Sequence, residues 1–141
     1  MDNNKKLLRD IYQNAAMGLS TLKRMIKRCE DENFRKAMAD QFAEYHEIHV
    51  KAQELMSAHG LQPQAKSPVE GLAFPALYLN LKVDKTSSHM AEMIMQGSLM
   101  GIIDIARAIR ENPAAEDEVR ILAKKLLATE ERNLRNMQEY L

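Results

Sequence analysis

The sequence predicts an all-α protein: one domain over residues 1–141, folded as a four-helix bundle with one long crossover connection. Apolar residues recur at spacings of three and four through four segments, which places them on one face of a helix. Capping residues, prolines and glycines bound the same segments. The ten Met and the lack of Trp indicate a core of flexible aliphatic and thioether side chains.

The first two predicted helices form a tight hairpin. They cover about residues 4–29 and 32–59. Asp31 is suited to cap the second helix, because its carboxylate can accept hydrogen bonds from the first free N–H groups. Gly60 ends that helix, as glycine commonly does. Since only a few residues separate the two helices, we expect them to run antiparallel.

The last two predicted helices form a second hairpin and cover about residues 86–111 and 114–140. Pro113 separates them and suits the first position of a helix, where no N–H donor is needed. Acidic side chains follow at once, where they favour the helix dipole. The fourth helix is therefore expected to start at this proline.

A connection of about residues 60–85 joins the hairpins and is too long to be a simple turn. A connection of this length can return the chain along the bundle, so that the second and third helices run parallel. The alternation from Leu77 to Val83 suits a strand, whereas Pro75 could begin a short helix. Either form needs an apolar surface to lie on.

Charge and composition exclude several classes of partner. Twenty Lys and Arg balance twenty Asp and Glu, which argues against nucleic acid or an anionic membrane. The start, MDNNKKLLRD, lacks the apolar run of a signal peptide, and the uncharged piece Met93–Ile103 is too short to span a bilayer. Cys29, the single cysteine, suits a reducing compartment. We predict a soluble, cytoplasmic protein.

The order of a tight hairpin, a long crossover and a second tight hairpin resembles the ferritin-like superfamily. The segments AEMIMQGSLMGI and LAKKLLATEERNLRNMQEYL are similar to those of uncharacterised bacterial relatives of rubrerythrin and of spore-coat bundles. The resemblance covers the whole chain. It implies a ferritin-like bundle and, in the family, two irons held by inward side chains: a Glu from each of two helices and Glu-x-x-His from each of the other two.

This chain departs from that ligand set on at least three helices. The first helix has no inward Glu near its middle, and the second and fourth lack the histidine. The residues at the four places are Ala15 and Gly18, Glu44-x-x-Glu47, Asp104, and Glu130-x-x-Asn133. We therefore expect no di-iron centre and no bound cofactor, and we favour a protein that is not an enzyme.

Seven polar residues nevertheless fall on predicted core faces and form a candidate pocket. They are Gln41, Glu44, Tyr45, His49, Asp104, Glu130 and Asn133. One interpretation is structural: buried polar groups hydrogen-bond in pairs, such as Tyr45 with Glu130 and His49 with Asp104, since an unpaired group costs about 1–3 kcal/mol. The alternative is a pocket for a single metal or small ligand, with donors from His49, Asp104 and Glu130 and room left by Gly18 and Gly97.

The third helix, MIMQGSLMGIIDIARAI at its centre, is apolar almost all the way round. A bundle helix normally keeps a broad polar face, so the surplus must be covered by the crossover, by a second subunit or by both. We predict a homodimer in which the third helix or the crossover takes part. Gly97 and Gly101, four residues apart, indicate close helix packing.

Two functions follow from these observations. The first is a non-enzymatic, dimeric interaction or scaffold protein whose di-iron site has been lost. The second is a protein, such as an oxidoreductase, that binds a metal or small ligand through the inward His, Asp and Glu residues.

Overall fold

The computed structural model describes residues 2–63 and 86–141. It confirms the all-α four-helix bundle. The helices are α1 (Asn3–Arg28), α2 (Glu32–Ala58), α3 (Ser87–Glu111) and α4 (Asp117–Met137), followed by a short 3-10 helix (Gln138–Tyr140). Most of the predicted crossover, with its strand or short-helix alternatives, lies outside the described residues. None of the described helices combines the length and apolar character needed to cross a bilayer.

The helix starts follow from local capping. Asp31 Oδ1 accepts hydrogen bonds from the backbone N–H groups of Asn33 and Phe34 at 2.9 and 3.2 Å, which confirms its predicted role at α2. At the other end of α2, Gly60 has a φ of +69°, a left-handed conformation that favours glycine. The tight α1–α2 turn therefore comes from an Asp cap, and the end of α2 from a glycine.

The start of α4 differs from the prediction. Pro113 does not open the helix; it lies in a turn in which the Ala115 N–H donates to the Asn112 carbonyl at 3.2 Å. Side chains from the start of α1 hold this turn, because Asn3 Oδ1 accepts from Ala114 N–H at 3.0 Å. Tertiary contacts thus delay the helix to Asp117.

The helix ends show how the hairpins are arranged. His59, directly after α2, has its Nε2 atom 3.3 Å from Oε2 of Glu116, directly before α4. Thus α2 ends where α4 begins. Since α3 ends at the same short turn, α2 and α3 run parallel, and the chain leaves α2 at the opposite end of the bundle from the start of α3.

All four helices contribute to one core. Its side chains are mostly Leu, Ile, Met and Ala, as the composition predicts. The large, fully buried members from the first three helices are Leu7, Leu8, Ile11, Leu22, Met25, Phe34, Met38, Ile48, Met56, Met90 and Met93. Polar side chains interrupt this core halfway along the bundle, where the candidate site lies.

Candidate functional site: a buried polar cluster

Glu130 is the centre of the cluster. It lies on the inward face of α4, one turn after Leu126, and only 3% of its surface is exposed. Leu126, Asn133 and Met137 are buried on the same face because they lie three, four or seven residues away. The helical pattern therefore fixes a carboxyl group among apolar neighbours.

Tyr45 on α2 is the nearest hydrogen-bond partner of that carboxyl. Its hydroxyl donates to Glu130 Oε1 at 3.5 Å, the pairing expected from the sequence. Asn133 on α4 and Ser98 on α3 also lie beside the Tyr45 hydroxyl. On the α1 side the ring lies against Gly18, where an added Cβ would be 3.2 Å from ring carbons. Residues from three helices thus position the phenol over Glu130.

Close contact with α3 encloses the other side of the carboxyl. A Cβ at Gly101 would lie 2.7 Å from Glu130 Cδ, nearer than real Cβ contacts come. Asn14 on α1 donates from Nδ2 to the Gly101 carbonyl at 3.1 Å and also hydrogen-bonds Glu130. The Glu130 side chain therefore occupies the space that a side chain at residue 101 would need.

Three buried atoms of the cluster have no hydrogen-bond partner within residues 2–63 and 86–141: Gln41 Oε1, Glu130 Oε2 and Asn133 Nδ2. All three side chains are at least nine-tenths buried. Gln41 lies one turn before Tyr45 on α2, and Asn133 lies one turn after Glu130 on α4. Because the two helices run antiparallel, Gln41 and Asn133 lie at a similar level along the bundle. The cluster thus retains hydrogen-bonding capacity in the core.

Burial sets the protonation of the cluster. It raises the pKa of Glu130 to about 8, and the negative charge of Asp104 adds to the increase. Burial, together with Glu130, also raises the pKa of Tyr45. At neutral pH the carboxyl is therefore mainly a neutral acid, able to donate one hydrogen bond, and the phenol is neutral too.

The predicted pair of His49 and Asp104 is wrong. The Asp104 side chain is 67% exposed and lies 4.0 Å from the Arg107 guanidinium. The core face of α3 runs through Gly101, Ile105 and Ala108, so Asp104 lies on the flank of that face. His49 stacks on Tyr12 with ring centroids 4.5 Å apart, in the contact between α1 and α2.

Glu44 is also outside the cluster. Its carboxylate pairs with Arg132 on α4, at the outer edge of the contact between the two helices. Glu47, one turn later, is more exposed and pairs with Lys125 at 3.0 Å. The Glu44-x-x-Glu47 motif therefore holds α2 to α4 from outside.

Asn14 and Ser98 were not predicted to belong to the cluster, and the close packing predicted at Gly101 was not linked to Glu130. The room in the core was assigned to Gly18 and Gly97, but the Tyr45 ring lies against Gly18 and an added Cβ at Gly97 meets no atom within 4 Å, whereas Gly101 faces Glu130. The signal was present: Gly101 continues the buried series of Met90, Ile94 and Ile105 at helical spacing. Asn14 gave no comparable signal, because it flanks the apolar face of α1.

These residues do not fit a di-iron centre. Of the carboxylates considered, only Glu130 lies inside the core, and burial favours its neutral form, whereas metal ligands must be ionised. In the described parts of the chain, no three His, Cys, Asp or Glu side chains are placed to hold a metal ion. The arrangement can bind and release a proton at Glu130.

Comparisons with protein-family models, with curated proteins and with solved structures gave no match. The ferritin-like resemblance therefore stays a prediction from the sequence, and the described residues carry the functional argument.

Tyr45→Phe is expected to lower the free energy of unfolding by about 1–2 kcal/mol, because the Glu130 carboxyl loses a buried hydrogen-bond partner. Tyr12→Phe is the control: Tyr12 stacks on His49, and its change should stay within about 0.5 kcal/mol. Urea unfolding at pH 7 measures both. Equal losses in the two variants would show that the Tyr45 hydroxyl does not support the cluster.

Proposed function

We propose that this protein is a non-enzymatic interaction or scaffold bundle that works as a homodimer, with the outward face of α3 as the interface. The observation that carries the proposal is a row of exposed apolar side chains: Leu99, Met100 and Ile103, with 50%, 60% and 48% of their surfaces exposed. Three large apolar side chains on one face of one helix form a patch of the kind that marks protein interfaces.

Charges at the two ends of this row favour a second copy of the chain as the partner. Glu92 lies before the row, and Arg107 and Arg110 lie after it, all exposed. If two α3 helices pair antiparallel about a two-fold axis, each Glu92 meets the arginines of the other copy. Parallel pairing would place like charges together.

The ion pairs that these residues form within α3 are weak. Glu92, itself exposed, lies 3.8 Å from the largely buried His89, and Arg107 lies 4.0 Å from Asp104, both of them exposed; each pair is three residues apart. Exposed pairs of this kind contribute about 0–1 kcal/mol. Both side chains can therefore turn to a partner at little cost.

Ile103→Glu is expected to weaken self-association roughly a hundredfold or more, because two-fold symmetry places the new charge in the interface twice. Ile121→Glu is the matched control, since Ile121 is 66% exposed on α4, away from the row. Sedimentation velocity over a concentration series measures both. A native chain that stays monomeric, or an Ile121→Glu effect as large as that of Ile103→Glu, would overturn the proposal.

A second candidate function is the binding of a metal or small ligand in the core. The unpartnered Oε2 atom of Glu130 supports it, together with the nearby amides of Gln41 and Asn133. Elemental analysis of the purified protein separates the two. Stoichiometric iron, manganese or zinc that is lost in Glu130→Ala would favour this second function, whereas the scaffold proposal expects a folded, metal-free protein.

A further inference from the structure

We propose that Glu130 makes the contact between α3 and α4 sensitive to pH: the neutral acid lets α3 pack closely at Gly101, and the ionised carboxylate opens that contact. The inference concerns the core of each subunit and does not depend on the proposed self-association.

The geometry leaves the carboxyl no room to change its surroundings. Gly101 lies directly against it, and an added Cβ would overlap both its oxygens and its carbon. Tyr45 lies on the α2 side and Asn14 on the α1 side. A carboxylate formed here can gain water only if a neighbouring helix moves. The contact at Gly101 is backbone against side chain, with no interlocking side chain at residue 101 itself.

The neutral donors that face Glu130 favour its ionised form less than burial opposes it. From α2 it meets the neutral phenol of Tyr45, and from α1 the neutral amide of Asn14. From α3 the charge that acts on it is that of Asp104, an anion. Asp10 on α1 lies near Asp104 as well, and burial followed by Asp104 raises the pKa of Asp10. Asp104, the charge that acts on Glu130 from α3, thus opposes its ionisation.

One oxygen of the carboxyl already lacks a partner. Glu130 Oε2 is buried and has no hydrogen bond to any described residue. A neutral acid tolerates this better than a carboxylate, whose two oxygens each favour several hydrogen bonds. Ionisation therefore increases the demand for water at the atom that the protein satisfies least, and this atom lies against the backbone of α3 at Gly101.

Hydrogen exchange of α3 as a function of pH tests this proposal. After correction for intrinsic exchange rates, the protection of the amides between Ser98 and Ile105 is expected to fall about tenfold or more from pH 6 to pH 9.5 in the native chain. Glu130→Gln should abolish this fall. Glu131→Gln, which changes the exposed neighbouring carboxylate on α4, should behave like the native chain.

Protection that is the same at both pH values in the native chain, or that falls equally in Glu130→Gln, would overturn the proposal. Carbon-13 NMR of the Glu130 carboxyl in the native chain provides a test that needs no variant. A titration midpoint above pH 7, coincident with the loss of protection in α3, is expected. A midpoint near that of an exposed Glu would contradict the proposal.

Discussion

The free energy of unfolding is expected to fall by about 1.4 kcal/mol for each pH unit between the two pKa values of Glu130, its ordinary value and its value in the fold. In the unfolded chain the carboxyl has its ordinary pKa of 4.5, whereas burial raises the pKa to about 8 in the folded protein. Between these values the folded state holds one more proton, so stability is greatest at low pH and is lost as the pH rises. Over the whole interval the loss is roughly 5 kcal/mol.

Glu130→Gln should remove this pH-dependent contribution to the free energy of unfolding and leave the variant more stable than the native chain at pH 9. Urea unfolding at pH 5, 7 and 9 measures it. Burial and Asp104 raise the pKa of Asp10, and a hydrogen bond to the Leu55 carbonyl raises that of His59. Both groups therefore also make the free energy of unfolding fall as the pH rises. Because both are present in the native chain and in Glu130→Gln, their contributions cancel when the two chains are compared. The same pH dependence in the native chain and in Glu130→Gln would contradict this account.

Gly101→Ala is expected to destabilise the protein by about 1–3 kcal/mol, because the new methyl group would overlap the Glu130 carboxyl in a closed core. Gly97→Ala is the matched control on the same helix. Its Cβ meets no atom within 4 Å, so the better helix propensity of Ala should stabilise the protein by about 0.5–1 kcal/mol. The two substitutions should therefore have opposite signs.

A double-mutant cycle with Glu130→Ala identifies the cause of the Gly101→Ala effect. With the Glu130 side chain removed, Gly101→Ala should cost at least about 1 kcal/mol less than in the native chain. Urea unfolding of the four chains gives the coupling energy. If Gly101→Ala costs the same in both backgrounds, its effect does not come from the carboxyl.

Much of the fold could be predicted from the sequence because local signals agree with the tertiary structure. The first hairpin is defined by the apolar spacing, the Asp31 cap and the glycine at residue 60. The contact between His59 and Glu116 shows that α2 and α3 run parallel, which is the direction that the predicted crossover requires. Tyr45 and Glu130 were paired correctly because each has a clear apolar stripe around it. Such stripes define which way a helix faces.

The inward face of α3 could not be predicted in this way, because the helix is apolar on two faces. Leu99, Met100 and Ile103 point outward, while Met90, Ile94 and other residues point into the core, so the pattern does not say which face is buried. Asp104 was for this reason placed inward. The spacing within α3 indicates that Gly101 is buried, but its contact with Glu130 depends on how α3 and α4 pack, which no single segment encodes.

The core of the bundle contains one inward glutamate, Glu130, which is surrounded by amides, a phenol and a glycine. Such a core binds a proton better than a metal ion. We infer that the function of the protein lies on its surface, where α3 exposes its apolar row.

Antiparallel pairing of α3 is tested most directly by the dimer dissociation constant of charge-reversed chains, measured by sedimentation equilibrium. Glu92→Arg alone, or Arg107→Glu with Arg110→Glu, should raise the constant roughly tenfold, because each places like charges opposite one another. Combining all three changes should return it close to the native value. A dissociation constant that the charge reversals leave unchanged would contradict antiparallel pairing. So would a triple variant whose constant does not return close to the native value.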